Sequence, residues 1–483
     1  MKNKTPFYLT TTLPYVNAEP HIGFALEIVQ ADAVARYKRL EENDVIFNFG
    51  TDEHGLKIYR KALEQNKNPQ KYCDEYAAKF DDLKNALNLS YTHFVRTTNP
   101  NHLDASQEFW RRCLKNGDIY KANYPIKYCV GCELEKTDSE LVEGKCLFHP
   151  NLKIEVYEEE NYFFKFSRYQ QPLLDFYRKN PNFVLPEPKF KEIKNFVKSG
   201  LQDFSISRIK EKMPWGVDVP DDPEHVMYVW FDALIGYISS LGWPQNTKTF
   251  QRFWPGAQVA GKDNLRQQTA IWQAMLMSAK LPNSKQIFIH GFITVSGQKI
   301  SKSLGNVVNP FELVNKYGTD AVRYFLLAKI HPWADSDFTI AKFEEAYNAD
   351  LANGLGNLVS RVAKLCETSD LEFKENATPK NIFRKAQKDA FDEYRFNDLL
   401  SNIWNLDLRP IDRHVDQNSP WTIKDRGKLL EILQQEVDDI RALAKEISPF
   451  LPDTSAKICK QFSGPKIESA PPLFPRLSAK IGS

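Results

Sequence analysis

Phe7-Tyr8-Leu9-Thr10-Thr11-Thr12-Leu13-Pro14-Tyr15-Val16-Asn17-Ala18-Glu19-Pro20-His21-Ile22-Gly23-Phe24 sets the fold. Phe7 to Leu13 reads as a short strand that Pro14 stops, and Asn17 to Pro20 reads as a turn. A helix is predicted to open near Gly23, because Leu26, Val29, Ala33, Tyr37 and Leu40 recur every three or four residues. Val45 to Phe49 is the next predicted strand, with helical periodicity after it. Strand, helix, strand is the opening of a nucleotide-binding α/β sheet. Where the strand feeds the helix, Gly23 allows close backbone approach and the helix start favours phosphate. A histidine at position 21 can there donate to a phosphate or pack on an adenine.

The same α/β rhythm is expected to resume at Met227 to Asp232, Gln258 to Gly261 and Ile287 to His290. Between about Ile119 and Lys212 it is interrupted by short aromatic strands and a cysteine cluster, so the sheet is predicted to be split by an insertion. In that insertion Cys129-Val130-Gly131-Cys132 is matched, beyond residues 133 to 145, by Cys146-Leu147-Phe148-His149. Two residues between the ligands of each pair is the spacing of a closed, structural zinc knuckle. The four isolated cysteines, Cys73, Cys113, Cys366 and Cys459, read as packing residues. After about Ser336 the strand signals stop. Leu351, Leu355, Leu358, Val362 and Leu365 mark a long amphipathic helix, and periodic helices continue through Phe462.

Bulk composition excludes several classes. The 483 residues carry 64 basic and 62 acidic side chains, so nucleic acid is not gripped by bulk charge, although a local basic surface is compatible. With 42% hydrophobic and 13% aromatic residues, several cores can be filled and disorder does not dominate. No run approaches the ~20 apolar residues of a membrane span. The N-terminus shows no apolar leader, and few cysteines are present, so a cytoplasmic enzyme is expected.

A second loop carries chemistry: Gly297-Gln298-Lys299-Ile300-Ser301-Lys302-Ser303-Leu304-Gly305-Asn306. Two lysines in a Gly/Ser-rich loop supply positive charge to a pentavalent phosphate and a departing pyrophosphate. Together with His21-Ile22-Gly23-Phe24, this loop resembles the class I aminoacyl-tRNA synthetase pair written HIGH and KMSKS. Phe24 stands in place of the last histidine and Ile300 in place of the methionine. Leu13-Pro14-Tyr15, Gly50-Thr51-Asp52-Glu53-His54-Gly55, Tyr228-Val229-Trp230-Phe231-Asp232-Ala233-Leu234-Ile235-Gly236-Tyr237, Gly261-Lys262-Asp263 and His290-Gly291-Phe292-Ile293-Thr294 resemble the methionine-specific branch in particular.

That resemblance, spanning about residues 5 to 465, implies a set of roles. His21, Gly23, Gly261, Lys262, Asp263, Lys299, Ser301 and Lys302 would bind ATP with Mg²⁺; His21, Lys299 and Lys302 would stabilise developing charge. Asp52 would pair the substrate ammonium, and Arg208 matches the family's active-site arginine. Leu13, Tyr15, Trp230, Ala233, Tyr237, Ile289 and His290 would line a pocket for L-methionine, whose thioether suits aromatic walls. The knuckle would stiffen an insertion that guides the tRNA acceptor end. Asn357, Arg361 and Trp421 would read the anticodon of tRNA(Met). The expected architecture is therefore a Rossmann-type parallel-sheet catalytic domain (1–117 and 226–335), split by a zinc-knuckle insertion (118–225) and followed by an all-α bundle (336–483). A monomer is expected, since the chain ends soon after the bundle. The interval from His21 to Lys299 leaves no room for the large editing domain of the leucine, isoleucine and valine enzymes. Two rivals stay open at this level: a class I synthetase for another amino acid, and a non-catalytic tRNA-binding relative.

Overall fold

The computed structural model describes residues 4–132, 134–136, 141–300, 305–374 and 382–477. The chain forms two compact units. The first comprises Met1–Pro20, Glu42–Asp82 and Tyr91–His290, and the second His21–Glu41, Leu83–Ser90 and Gly291–Ser483.

The first unit is built on a six-stranded parallel sheet in the spatial order His93–Arg96, Asp44–Thr51, Pro6–Thr11, Ala257–Gly261, Gln286–His290, Val184–Leu185. Its central strands are buried along most of their length, as parallel strands covered on both faces must be. Register is set by pairs such as Leu9 with Phe47 and Ala257, and Gly261 with His290. Aromatic rings fill the core: Phe109 stacks on Trp272 at 5.7 Å between centroids, and Trp110 meets Phe231 edge-on at 5.4 Å.

The insertion is antiparallel. Ile119–Cys129 and Glu155–Phe164 run as a long ribbon from Ile119 opposite Phe164 to Tyr128 opposite Glu155. Beside it, Ser207–Ile209, Asp222–Met227 and Asp218–Val219 form a separate three-stranded sheet. Two sequence expectations are adjusted here. Met227 to Asp232 is no strand of the main sheet: Asp222–Met227 belongs to the small sheet, and Val229–Ala233 is a helical turn. The interval read as pure insertion also returns an edge strand, Val184–Leu185, to the main sheet.

The second unit begins with the helix Ile22–Leu40, whose Asp32 is buried. Asp32 pairs with Arg323 at 2.8 Å and Arg36 at 2.7 Å. Burial pushes its carboxyl up, but the two guanidiniums outweigh this and hold it below the ordinary range. Arg323, also buried, donates to the carbonyls of Leu87, Pro449 and Phe450. The expected long helix is present as Ile340–Ala346 and Asn357–Ser369, joined by wider π-type turns over Tyr347–Gly356. Leu351, Leu355, Leu358 and Val362 are buried along it. Helices Lys385–Asp392, Phe396–Ile403, Arg409–Asn418, Arg426–Glu446 and Pro452–Gln461 follow. The Pro-rich end closes over this unit: Phe474 is buried, and the Leu477 amide donates to Asn348. Among the described residues, no helix is long and apolar enough to cross a membrane.

Candidate functional site

In the first unit, the loops at the ends of neighbouring strands carry Leu13, Tyr15 and Asp52, three of the residues expected to hold the amino acid. The strand Pro6–Thr11 runs into Leu13-Pro14-Tyr15, and Asp44–Thr51 into Asp52-Glu53-His54. These loops pair as a parallel bridge between Tyr15 and Asp52: the Asp52 amide donates to the Pro14 carbonyl (2.9 Å) and the Val16 amide to the Asp52 carbonyl (3.1 Å). On either side of Asp52 the backbone is anchored. Glu53 takes a bidentate pair from Arg96 at 2.6 and 2.9 Å and a bond from Thr51 at 2.6 Å. His54 Nδ1 lies 2.6 Å from Asp232 Oδ2.

Asp232 connects this loop to the Trp230–Tyr237 segment. Fully buried, it also meets His102 Nε2 (2.7 Å) and Ser106 Oγ (3.1 Å). Burial raises the carboxyl, yet His54 and His102 hold it well below the usual range. Tyr237 is fixed from two sides: its carbonyl accepts from the Tyr8 hydroxyl (2.7 Å), and its hydroxyl accepts from Gln268 Nε2 (2.5 Å). Gln268 in turn accepts from Gln258, whose carbonyl oxygen takes a bond from Ser284 at 2.6 Å. Leu13 presses on the backbone at Gly236, where an added Cβ would lie 2.6 Å from its Cδ1.

Trp230, Tyr228, Val229 and Tyr15 pack in one cluster with Tyr128 and Val130. The indole Nε1 of Trp230 is buried without a hydrogen-bond partner among the described residues. Ala233, Tyr237, Ile289 and His290 are buried, and the Gly261 backbone approaches the His290 ring, 3.5 Å from where a Cβ would stand. Lys262 and Asp263 follow in a short 3₁₀ turn, Asp263 exposed.

The four residues expected as metal ligands converge as their spacing predicts. Cys129, Cys132, Cys146 and His149 place their ligating atoms within 4.8 Å of one another. Cys132 Sγ is 3.3 Å from Cys146 Sγ and 3.2 Å from His149 Nδ1. A tetrahedral zinc with its usual bond lengths separates two sulfurs by about 3.8 Å, so this Cys₃His set fits the ion after a small expansion. Gly131 is required between the first two ligands, because a Cβ there would sit 2.4 Å from the His149 ring. Of the four isolated cysteines, Cys73, Cys113 and Cys366 are buried, as packing residues should be, and Cys459 is partly so.

The second unit carries His21, Gly23 and Lys299, which the sequence reading expected at the phosphates. His21 caps the helix Ile22–Leu40 with its own ring: Nδ1 accepts from the Gly23 amide at 3.1 Å. The lone pair of Nδ1 is thereby used, so the neutral ring carries its proton on Nε2. Phe24 stacks on this ring at 4.3 Å. The Ile22 amide donates to the Val308 carbonyl (3.0 Å), bringing this motif to the loop that follows the lysines. Gln298–Lys299 pairs with Ile293–Val295, and the Lys299 carbonyl accepts from Asn306 (3.1 Å). Lys299 is exposed; Ser301 and Lys302 lie outside the described residues.

In the helical tail Asn357 is exposed, and Arg361 lies over the Trp421 ring at 5.4 Å. Arg361 also pairs with Asp412 (3.3 Å) and Asp416 (2.5 Å), while Trp421 is 58% exposed. The three residues expected from sequence are thus on one helix and the turn beside it. Sequence reading missed His102, Gln268 and Tyr128. No local pattern marks them, since His102 and Asp232 meet across 130 positions.

The family model described as "tRNA synthetases class I (M)" matches residues 7–155 and 138–363. A methionine–tRNA ligase of Synechocystis sp. is 42% identical over 476 residues, covering 94% of this chain and 89% of the relative. That of Thermotoga maritima is 40% identical over 475 residues, 95% of this chain and 75% of the relative. Among solved structures, Mycobacterium tuberculosis methionyl-tRNA synthetase in complex with methionyl-adenylate is 34% identical. It superposes with a TM-score of 0.90 and covers 98% of this chain and 100% of that one.

Proposed function

The chain belongs to the methionine–tRNA ligase family of class I aminoacyl-tRNA synthetases, and from that membership we propose how its residues divide the reaction. The activity is that of an ATP-dependent ligase, which activates L-methionine as methionyl-adenylate and charges the 3′-terminal ribose of tRNA.

Tyr15, Leu13, Trp230, Ala233, Tyr237, Ile289 and His290 hold the methionine side chain, and Asp52 pairs with its ammonium. The Tyr15–Asp52 bridge carries this reading, because it fixes a carboxylate beside an aromatic wall through backbone bonds alone. Magnesium enters as the counter-ion of the ATP substrate, whose adenosine and phosphates meet Gly23, Gly261, Lys262 and Asp263. The methionine carboxylate attacks the α-phosphorus, the bond to the bridging oxygen breaks, and pyrophosphate leaves with the electron pair. His21 donates from Nε2 to the phosphate, its Nδ1 being occupied. Lys299, Ser301 and Lys302 supply positive charge and hydrogen bonds as pyrophosphate departs. No covalent enzyme intermediate is needed; holding both substrates in line supplies much of the rate. The 2′-hydroxyl of the terminal ribose then attacks the methionyl carbonyl carbon, the bond from that carbon to the phosphate oxygen breaks, and AMP leaves with the electron pair, its phosphate taking the hydroxyl proton.

Cys129, Cys132, Cys146 and His149 would hold a structural zinc, whose part is to tie the Cys129–Cys132 segment to the Cys146–His149 segment. The domains proposed are the split catalytic domain (1–117, 226–335), the insertion (118–225) and the anticodon-binding bundle (336–483). Asn357, Arg361 and Trp421 read the anticodon of tRNA(Met), by stacking and by polar contacts to base edges. The working form is a cytoplasmic monomer. Methionine-dependent ATP–pyrophosphate exchange, with leucine, isoleucine and cysteine as controls, tests the reading. Exchange with methionine alone is expected; exchange with another amino acid would overturn the pocket assignment.

A further inference from the structure

Arg208 is a buried cation with an unusual set of neighbours. It stands on the short strand Ser207–Ile209 and is 5% exposed. Nη1 donates to Ser205 Oγ (2.8 Å) and to the Ser207 carbonyl (2.6 Å). Nη2 is buried and has no hydrogen-bond partner among the described residues, nor does any described carboxylate pair with the side chain. Taking a guanidinium out of water in this way is costly unless something replaces the lost hydration. Two aromatic faces do so in part: Tyr228 at 4.7 Å and Tyr128 at 5.2 Å from the guanidinium carbon. The remaining deficit, one aimed N–H pair and one positive charge, is the complement of a carboxylate or phosphate oxygen.

The two rings come from different places. Tyr228 precedes Trp230 in the pocket segment, whereas Tyr128 ends the insertion ribbon, directly before the ligand Cys129. A second link runs alongside. Lys57 Nζ donates to the carbonyl of Gly131, between the first two metal ligands, at 3.4 Å, and lies over the Tyr15 ring at 5.9 Å. Val130 packs in the same cluster as Tyr15 and Trp230. One limb of the knuckle is therefore a wall of the pocket.

We propose that Tyr128 is a positioning residue: its ring, carried by the metal knuckle, fixes the Arg208 guanidinium and with it the amino-acid end of the site. The proposal rests on the match of Arg208 to the family's active-site arginine, and takes the open Nη2 as directed at an anionic group of the substrate. A cation held only by the Ser205 hydroxyl and the Ser207 carbonyl could swing about them; two rings at 4.7 and 5.2 Å limit that swing. The knuckle then does more than stiffen an insertion, because its first limb sets the direction of Nη2.

The test replaces Tyr128 by phenylalanine and then by phenylalanines carrying successive ring fluorines, which keep the shape and drain the negative face. In ATP–pyrophosphate exchange, Tyr128→Phe is expected to stay within about twofold, and kcat to fall stepwise to about tenfold below it in the most fluorinated form. Methionine binding without ATP, followed by tryptophan fluorescence, should weaken in parallel, with one zinc per chain throughout. A flat fluorination series would overturn the proposal. So would a loss of zinc that accounts for the lost activity, since the ring would then support the metal alone. Arg208→Gln separates the two readings. If it leaves exchange intact, the assignment of Arg208 falls; if it abolishes exchange while the fluorinated series is flat, only the role of Tyr128 falls.

Discussion

At the scale of the residue, the departure from the family pattern at Phe24 has a physical reading. Where the family pattern has a histidine this chain has a flat apolar ring, and that ring stacks on His21. The remaining histidine is held by its cap to Gly23 on one edge and by stacking on one side. Phe24→Ala should therefore lower kcat for exchange by about three- to tenfold while the methionine KM stays unchanged, measured by steady-state exchange. Asp52→Asn should act in the opposite way. Losing a charge-assisted contact raises the methionine KM by about 10- to 100-fold and leaves that of ATP in place. His21 and Asp52 were legible in the sequence because each sits in a short motif. The contacts that hold Asp232, Tyr237 and Arg208 were not, since His102, Gln268 and Tyr128 meet them only once separate segments have packed.

At the scale of the element, the knuckle and the tail helices each give an expected outcome. Removing zinc with a chelator, or replacing one ligand by Cys132→Ser, should open the Cys129–Cys132 and Cys146–His149 segments to proteolysis and lower methionine affinity before the main sheet unfolds, as read by limited digestion and fluorescence. In the tail, Glu446 on the helix Arg426–Glu446 is buried near Asp407, which is itself paired with Arg384 at 2.5 and 2.7 Å. Burial first, and the Asp407 charge second, push the Glu446 carboxyl up to about 8. A carboxyl raised in the folded state contributes its full stability below the unfolded pKa, and that contribution is lost as pH rises through 8. Glu446→Gln should accordingly leave Tm unchanged at pH 5 and raise it by about 2–4 °C at pH 9, measured by thermal melts. Helix positions were readable from period alone, as Leu351 to Val362 illustrate. The edge strand Val184–Leu185 was not, because two residues carry no period and only pairing with Ile287 and Phe288 defines them.

At the scale of the whole molecule, the order of elements along the chain and the order of strands in the sheet differ, and this limits what a linear reading can recover. The strand–helix–strand opening and the split sheet followed from periodicity and turn residues. The return of an edge strand from the insertion, and the assignment of Asp222–Met227 to a separate sheet, depend on long-range pairing. Within the second unit, Arg323 joins segments far apart in sequence: Asp32, Leu87 and Pro449 all meet its guanidinium. Arg323→Met should cost about 3–5 kcal/mol in urea unfolding, because Asp32 is left buried with one cation fewer. Gly131 has a further consequence, for the variation this chain can carry. Every amino-acid change that a single base can make in a glycine codon adds a side chain. At this position even a methyl group would overlap the His149 ring. A saturation library at codon 131, selected for growth on the encoded enzyme, should return glycine almost alone, so this point in the gene is closed to drift by the space beside a single ring.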